Sequence, residues 1–299
     1  MQSHLQYLTR DQVDTGRWDQ CIHTAANGLI YGYSWYLDGM ARHWDALVWN
    51  DYEAVMPLTW NRKWGIQYIY TPPFVQQLGI FTKAAVTKEM ETAFLNELPK
   101  RFRFTELFLN YAHPGSHPTR SNFICPLHGS YEQLRNNYRN VLLKNLKRAA
   151  HAGLEYTTQL QAAVVLDAWR ELYGARFQHV RTHHYQRFKK ICEQHPHHVV
   201  VRAAVCANAL CSAVILLKDH RRLYLMVSVT WPAGKGKQAN RFLLDSIFRE
   251  FAGTQLLFDF EGSDIPGIAM YFKNFGAIDQ PYYFYRYNRL PRLVKWLKS

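Results

Sequence analysis

The stretch that most constrains the fold is residues 198–260. Three strand-length runs follow one another, at 198–206, 210–218 and 222–229, with Lys218-Asp219-His220-Arg221 forming a hairpin break. Next comes Trp231-Pro232-Ala233-Gly234-Lys235-Gly236-Lys237, a loop rich in glycine and lysine. Residues 238–251 then show a helical period, with Phe242, Leu243, Ile247 and Phe251 inward, and 255–260 is another strand. Three antiparallel strands leading through such a loop into a helix make an anion site on general grounds. A helix start presents unpaired N–H groups and the positive end of its dipole. Lys235, Gly236, Lys237, Gln238 and Arg241 are therefore the candidate residues for a phosphate-bearing ligand; an ordinary exposed basic loop accounts for them equally well.

Charge points the same way. The 299 residues carry 36 Lys and Arg against 23 Asp and Glu, a net charge of +13. Divided at residue 130, the first part holds 11 basic and 11 acidic residues and the second 25 and 12. The excess suggests a polyanionic partner such as nucleic acid, anionic lipid or a phosphate-rich cofactor. A hydrophobic content of 48% excludes wholesale disorder. No apolar run is long enough to span a bilayer and the start shows no signal peptide. The five cysteines are odd in number and lack a C-x-x-C pair, which fits a reducing cytoplasm.

The rest of the chain reads as α+β. Strands are expected at 44–49, 53–60, 64–70, 103–110 and 122–127, and a helix at 87–101. The rings of Trp35, Trp44, Trp49, Trp60 and Trp64 are expected to pack in the core and sheet. A turn-rich loop at 113–118 places a domain boundary near 130, giving units 1–130 and 131–299. A helix is expected at 131–150, with Leu134, Tyr138, Val141, Leu142 and Leu146 on its apolar face. Helices at 161–176, 183–194 and 265–274 and strands at 154–158 and 282–287 complete the second half. The histidines at 183–184 and 195–198 lack metal-ligand spacing.

Two segments carry a family resemblance. Asn140-Val141-Leu142-Leu143-Lys144-Asn145-Leu146-Lys147-Arg148-Ala149, followed by Gly153-Leu154-Glu155, resembles the basic helix joining the halves of FemAB-type aminoacyltransferases. Phe258-Asp259-Phe260-Glu261-Gly262-Ser263, with Phe272-Lys273-Asn274-Phe275-Gly276 beyond it, is similar to the FemAB segment after the fifth strand. Together with the element order, these resemble the GNAT acyltransferase superfamily in its FemAB-like branch. The resemblance implies two tandem GNAT-like subdomains, each a mainly antiparallel sheet flanked by helices. It implies an N-acyltransferase that moves an acyl or aminoacyl group to an amine. The donor would be acyl-CoA or aminoacyl-tRNA, with no permanently bound cofactor. An amine-bearing acceptor, such as a peptidoglycan precursor, and tRNA are the implied partners. A non-catalytic binding protein on the same fold and a basic nucleic-acid binder are the alternatives.

The chain departs from the GNAT pattern in two places. The small residues of the R/Q-x-x-G-x-G/A loop fall on Gln238 and Asn240, whose side chains would crowd a backbone–phosphate contact. The usual general-acid tyrosine falls on Phe272, with Tyr271 beside it expected to point elsewhere. Asp259 and Glu261, two apart on a strand, share a face and are the candidate bases for deprotonating an amine, Glu261 preferred; salt bridges within a basic unit are the competing role. The basic tail of Arg286, Arg289, Arg292, Lys295 and Lys298 is a candidate contact for tRNA or for a membrane surface.

Overall fold

Leu5–Thr9 (β1), His43–Trp49 (β2) and Ala54–Lys63 (β3) form an antiparallel meander, in a computed structural model that describes residues 4–111 and 119–291. The β2–β3 turn is made by Asn50 and Tyr52, both at positive φ, and the Asn50 side-chain amide donates to Glu53. The sheet continues through Ile66–Ile69 (β4), with Phe81–Thr82 (β5) pairing on β3. Phe104–Leu109 (β6) then joins parallel to β4. The crossover between them contains a helix, Lys88–Arg101 (α3), as a parallel connection requires. Thr15–Thr24 (α1) and Ser34–Met40 (α2) lie between β1 and β2 in the chain and bury Trp18, Ile22, Tyr36 and Leu37. Trp44 is buried as expected, but Trp64 is not a strand residue. It occupies a turn at positive φ and is 68% exposed.

Phe123–Pro126 (β8), which follows the two-residue strand Thr119–Arg120 (β7), starts a second sheet. Its members are Glu155–Thr157 (β9), Val199–Cys206 (β10), Ala209–Lys218 (β11), Arg222–Thr230 (β12), Leu257–Asp259 (β13) and Ile278–Asp279 (β14). The order is β14-β8-β13-β12-β11-β10-β9, and only β12 and β13 run parallel. The helices of this unit are Tyr131–Asn136 (α4), Asn140–Ala150 (α5), Ala162–Tyr173 (α6), Thr182–Gln194 (α7), Pro232–Lys235 (α8), Ala239–Phe251 (α9) and Pro266–Lys273 (α10). Tyr282–Asn288 (β15) closes the list, and it does not join this sheet. It inserts between β6 and β7 of the first.

The expected division at 130 is therefore corrected. One unit comprises the chain up to Arg120 together with everything from Tyr282 on, and the other is Ser121–Pro281. The reason is strand pairing. β8 lies before residue 130 yet bonds to β13 and β14, while β15 lies after it yet bonds to β6. Recounted by unit, Ser121–Pro281 holds 20 basic and 12 acidic residues and the remainder 16 and 11, so both are basic. The loop at 112–118 and the tail from Arg292 lie outside the described residues.

The expected helix over 131–150 is also two helices. Asn137 ends α4, and the Arg139 amide donates to the Asn274 carbonyl at 2.9 Å before α5 begins. Gly276, at φ +79, abuts this break: an added Cβ would meet Asn137 Cβ at 2.7 Å. Along α5, Leu142, Leu146 and Ala149 are buried, whereas Val141 is half exposed.

At the start of α7, His184 Nδ1 accepts the Arg181 amide proton at 3.0 Å, which requires a neutral ring. Burial, with the charges of His183, Arg187, His179 and Arg181, lowers its pKa from 6.5 to about 4. The unfolded chain thus binds more protons in this window. Stability should be level above pH 6.5 and fall as pH drops towards about 4. Urea unfolding across that range should show the loss, and His184→Gln should flatten it; an unchanged slope in the variant would refute the assignment.

Candidate active site

The parallel pairing of β12 with β13 covers only Arg222, Leu223 and Tyr224. Beyond Tyr224 no further pair joins the two strands, while β12 runs on to Thr230 against β11. A bulge at Met226 interrupts that antiparallel register, since Ile215 pairs Val227 and Leu216 pairs Leu225. The loop after β12 leads into α9. The start of α9 therefore stands at the C-terminal end of a splayed parallel pair, the usual place for ligands in such sheets.

The loop is fixed by one close contact. Gly234 is buried under the end of β11, where an added Cβ would lie 2.0 Å from the Cys211 carbonyl oxygen. The Trp231 amide donates to that same oxygen at 3.1 Å. Gly236 has a different character: nothing lies within 4 Å of an added Cβ, and its φ is −66°. Lys235 is exposed and Lys237 half-buried, and among the described residues neither is in an ion pair. Gln238 caps α9 at φ 58°, ψ 30°, a left-handed conformation that favours glycine. Its side-chain oxygen accepts from Arg241 at 2.6 Å, and no side chain caps the first amides of α9.

Asn240 does not project towards the loop. Its amide nitrogen donates to Ser228 Oγ at 2.9 Å and to Ser212 Oγ at 3.2 Å, tying α9 to β12 and β11. Its oxygen accepts from the Tyr271 hydroxyl at 2.6 Å. Tyr271, expected to point away, therefore belongs to this cluster. The Arg241 guanidinium lies 5.0 Å over the Tyr271 ring. Burial raises the Tyr271 pKa above its ordinary value, with Arg241 acting against the shift, so the phenol stays protonated at neutral pH. Phe272 instead faces the core, stacked on Phe260 at 4.5 Å. Sequence reasoning missed Tyr271 as well as Ser212 and Ser228. Helix phase alone does not separate positions 271 and 272 when Phe275 packs against Tyr271 too.

The two carboxylates separate. Asp259 is 1% exposed, and its Oδ2 accepts from Arg222 at 2.8 Å and from Asn122 at 3.2 Å. Its Oδ1 accepts the Glu261 amide at 2.9 Å. A carboxylate with both oxygens engaged by protein donors holds β12 and β13 together, which is the salt-bridge role. Glu261 does not share a strand face with it, because β13 ends at Asp259 and Glu261 has φ 63°. This left-handed residue and Gly262, at φ 69°, turn the chain towards α10 and leave Glu261 half-buried beyond the strand end. A non-glycine residue in that conformation costs roughly 1–2 kcal/mol, and Gln238 bears the same cost. Among the described residues, no group of three or more His, Cys, Asp or Glu side chains could hold a metal ion.

The sequence profile of the acetyltransferase (GNAT) domain matches residues 136–273, within the unit that holds this loop. Residues 136–273 are a GNAT acyltransferase domain. The tandem arrangement is that of FemX, whose crystal structure is 11% identical, with all of both chains covered and a TM-score of 0.68. A tandem GNAT protein from the clavulanic acid biosynthesis pathway is 14% identical over 97% of this chain and 99% of its own, with a TM-score of 0.56. The C-terminal domain of a putative lysylphosphatidylglycerol synthetase from Agrobacterium fabrum is 11% identical over 95% and 94%, with a TM-score of 0.53. At such identities these likenesses establish fold. Comparison with curated protein sequences finds no match. The matched stretch contains the loop 234–241 and the splayed pair of β12 and β13. Among the described residues, no helix is long and apolar enough to cross a membrane.

Proposed function

We propose that the protein is an N-acyltransferase whose donor places its phosphates at the start of α9 and whose acceptor is an amine. The observation that carries this is the α9 start itself. An uncapped helix N-terminus flanked by Lys235, Lys237 and Arg241 opens beside the parting strands. Glu261 takes the proton from the acceptor amine as its nitrogen attacks the donor carbonyl. The oxyanion of the tetrahedral adduct is met by backbone N–H groups of β12 beyond Tyr224. Collapse forms the amide and expels the donor oxygen or sulfur, which the Tyr271 hydroxyl protonates.

Between the two donor classes, an aminoacyl ester on tRNA fits better than acyl-CoA. Gln238 puts a side chain where close approach of a pyrophosphate usually needs a small residue, whereas Asn240 is turned away to Ser212, Ser228 and Tyr271. Twenty basic residues in this unit also suit a polyanionic carrier. The missing tyrosine at Phe272 is no argument against CoA, because the neighbouring Tyr271 sets its hydroxyl on Asn240 of α9. The lysylphosphatidylglycerol synthetase of similar fold is named for an aminoacylated lipid, and a peptidoglycan precursor belongs to the class of amine-bearing acceptors. The tail Arg286 to Lys298 would favour an anionic surface for that acceptor.

Calorimetric titration with charged tRNA and with coenzyme A tests the donor. Charged tRNA should bind, and Lys235→Ala/Lys237→Ala should weaken it about tenfold with a shallower salt dependence. Micromolar coenzyme A binding that the same variant abolishes would restore an ordinary CoA enzyme. Binding of neither would leave a non-catalytic protein on the fold.

A further inference from the structure

The N-terminal unit carries two adjoining cavities of about 750 and 530 Å³, with Gln67 and Arg101 in the walls of both. Rings line the larger one. His43 opens β2 directly opposite Trp60 of β3, and the two stack at 4.5 Å and 21°. Cross-strand register sets them side by side on one face. The Arg101 guanidinium lies 3.7 Å over the Tyr7 ring. The smaller cavity adds the exposed Trp64, with the Lys63 ammonium 4.6 Å from its ring.

The acids nearby are mostly engaged. Asp38 takes both arms of Arg10 at 2.7 Å. Asp45 is buried and accepts the Tyr7 hydroxyl at 2.5 Å and the Arg10 amide at 3.2 Å. Asp11 remains at the rim. Arg42, Arg62, Arg101 and Arg103 are exposed and, among the described residues, in no ion pair. Exposed guanidinium groups beside the cavity-lining rings of His43, Trp60 and Trp64 match a ligand with alternating phosphates and planar bases. An acyl chain has no use for the arginines, and a bare phosphate has none for the rings. Pockets for small ligands begin at roughly 300 Å³, so two in line exceed the needs of one nucleotide.

We propose that this face of the N-terminal unit binds single-stranded RNA, stacking bases on His43, Trp60 and Trp64 and holding phosphates with Arg101 and its neighbours. The site lies outside the GNAT donor loop and stands whichever donor that loop takes. The net positive charge of this unit agrees with it.

The test titrates the full chain with a labelled single-stranded RNA of about eight nucleotides at several salt concentrations and maps photo-crosslinked peptides. Crosslinks should fall on β2, β3 and the turn at Trp64. Arg101→Ala/Arg103→Ala should lower affinity about tenfold and reduce the salt slope by about two. His43→Ala, at an exposed position, should lower affinity and leave the slope unchanged. Lys235→Ala/Lys237→Ala should leave these crosslinks in place, which separates failure of the donor assignment from failure here. Crosslinks confined to residues 121–281, a duplex binding as tightly as the strand, or indifference to the arginine and His43 variants would each overturn the proposal. So would a nucleoside diphosphate competing as well as the strand, which would reassign the cavity to a free nucleotide.

Discussion

Arg222→Ala should cost about 3–5 kcal/mol of stability, because it leaves the Asp259 carboxylate buried without its cation. Asp259 is 1% exposed and the Arg222 side chain 12%. Asn122 and the Glu261 amide would still donate to Asp259, but neither carries charge. The damage should reach beyond stability. Arg222 is the first of three residues that pair β12 with β13, so its loss loosens the strands whose parting we propose as the active site. Replacing both partners with alanine should cost less than the two single losses added, since no lone charge remains. Denaturant unfolding of the two single variants and the double variant would settle this. Additive losses would mean that the pair is not coupled.

The second large effect is expected from one methyl group. Gly234→Ala would place a Cβ 2.0 Å from the Cys211 carbonyl oxygen, a distance that backbone cannot tolerate. The loop would have to leave β11, at a cost near the upper end of overpacking, about 3 kcal/mol. Lys235 and Lys237 would move with it, and donor binding should fall with stability. Gly236→Ala is the control. It meets open space at an ordinary φ and should change stability by less than about 0.5 kcal/mol. Calorimetry of the two variants with donor present and absent distinguishes them. Equal tolerance would show that the loop has slack at Gly234.

These residues also show what sequence can and cannot convey. The element order from 198 to 260 was legible because hydrophobic period and turn residues act locally. Strands β10, β11 and β12 and helix α9 lie within a residue or two of their expected places. Helices α1 and α2 were not foreseen, although they bury Trp18, Tyr36 and Leu37. The break at Asn137–Arg139 escaped because its cause, the Asn274 carbonyl, is far along the chain. Pairing partners were equally hidden, since nothing local in residues 282–288 says which sheet they enter. At the proposed site, the loop at 231–237 was visible through its glycines and lysines. The separation of Asp259 from Glu261 was not, because it rests on a φ of 63° in a residue with a side chain. Tyr271 was misjudged for a related reason: its role comes from Asn240, thirty-one positions earlier.

The place of β15 has a consequence for the order in which the molecule can be made. Six of its residues, Tyr283 to Asn288, register with Leu109 to Phe104 of β6. A ribosome emits β6 long before β15, and the whole of Ser121–Pro281 emerges in between. Until then the edge of β6 that β15 will occupy is an open strand, the kind that recruits foreign strands. The second unit has all its strands as soon as β14 is out. Maturation during translation thus runs against chain order: the unit Ser121–Pro281 can finish first, and the N-terminal unit waits for β15.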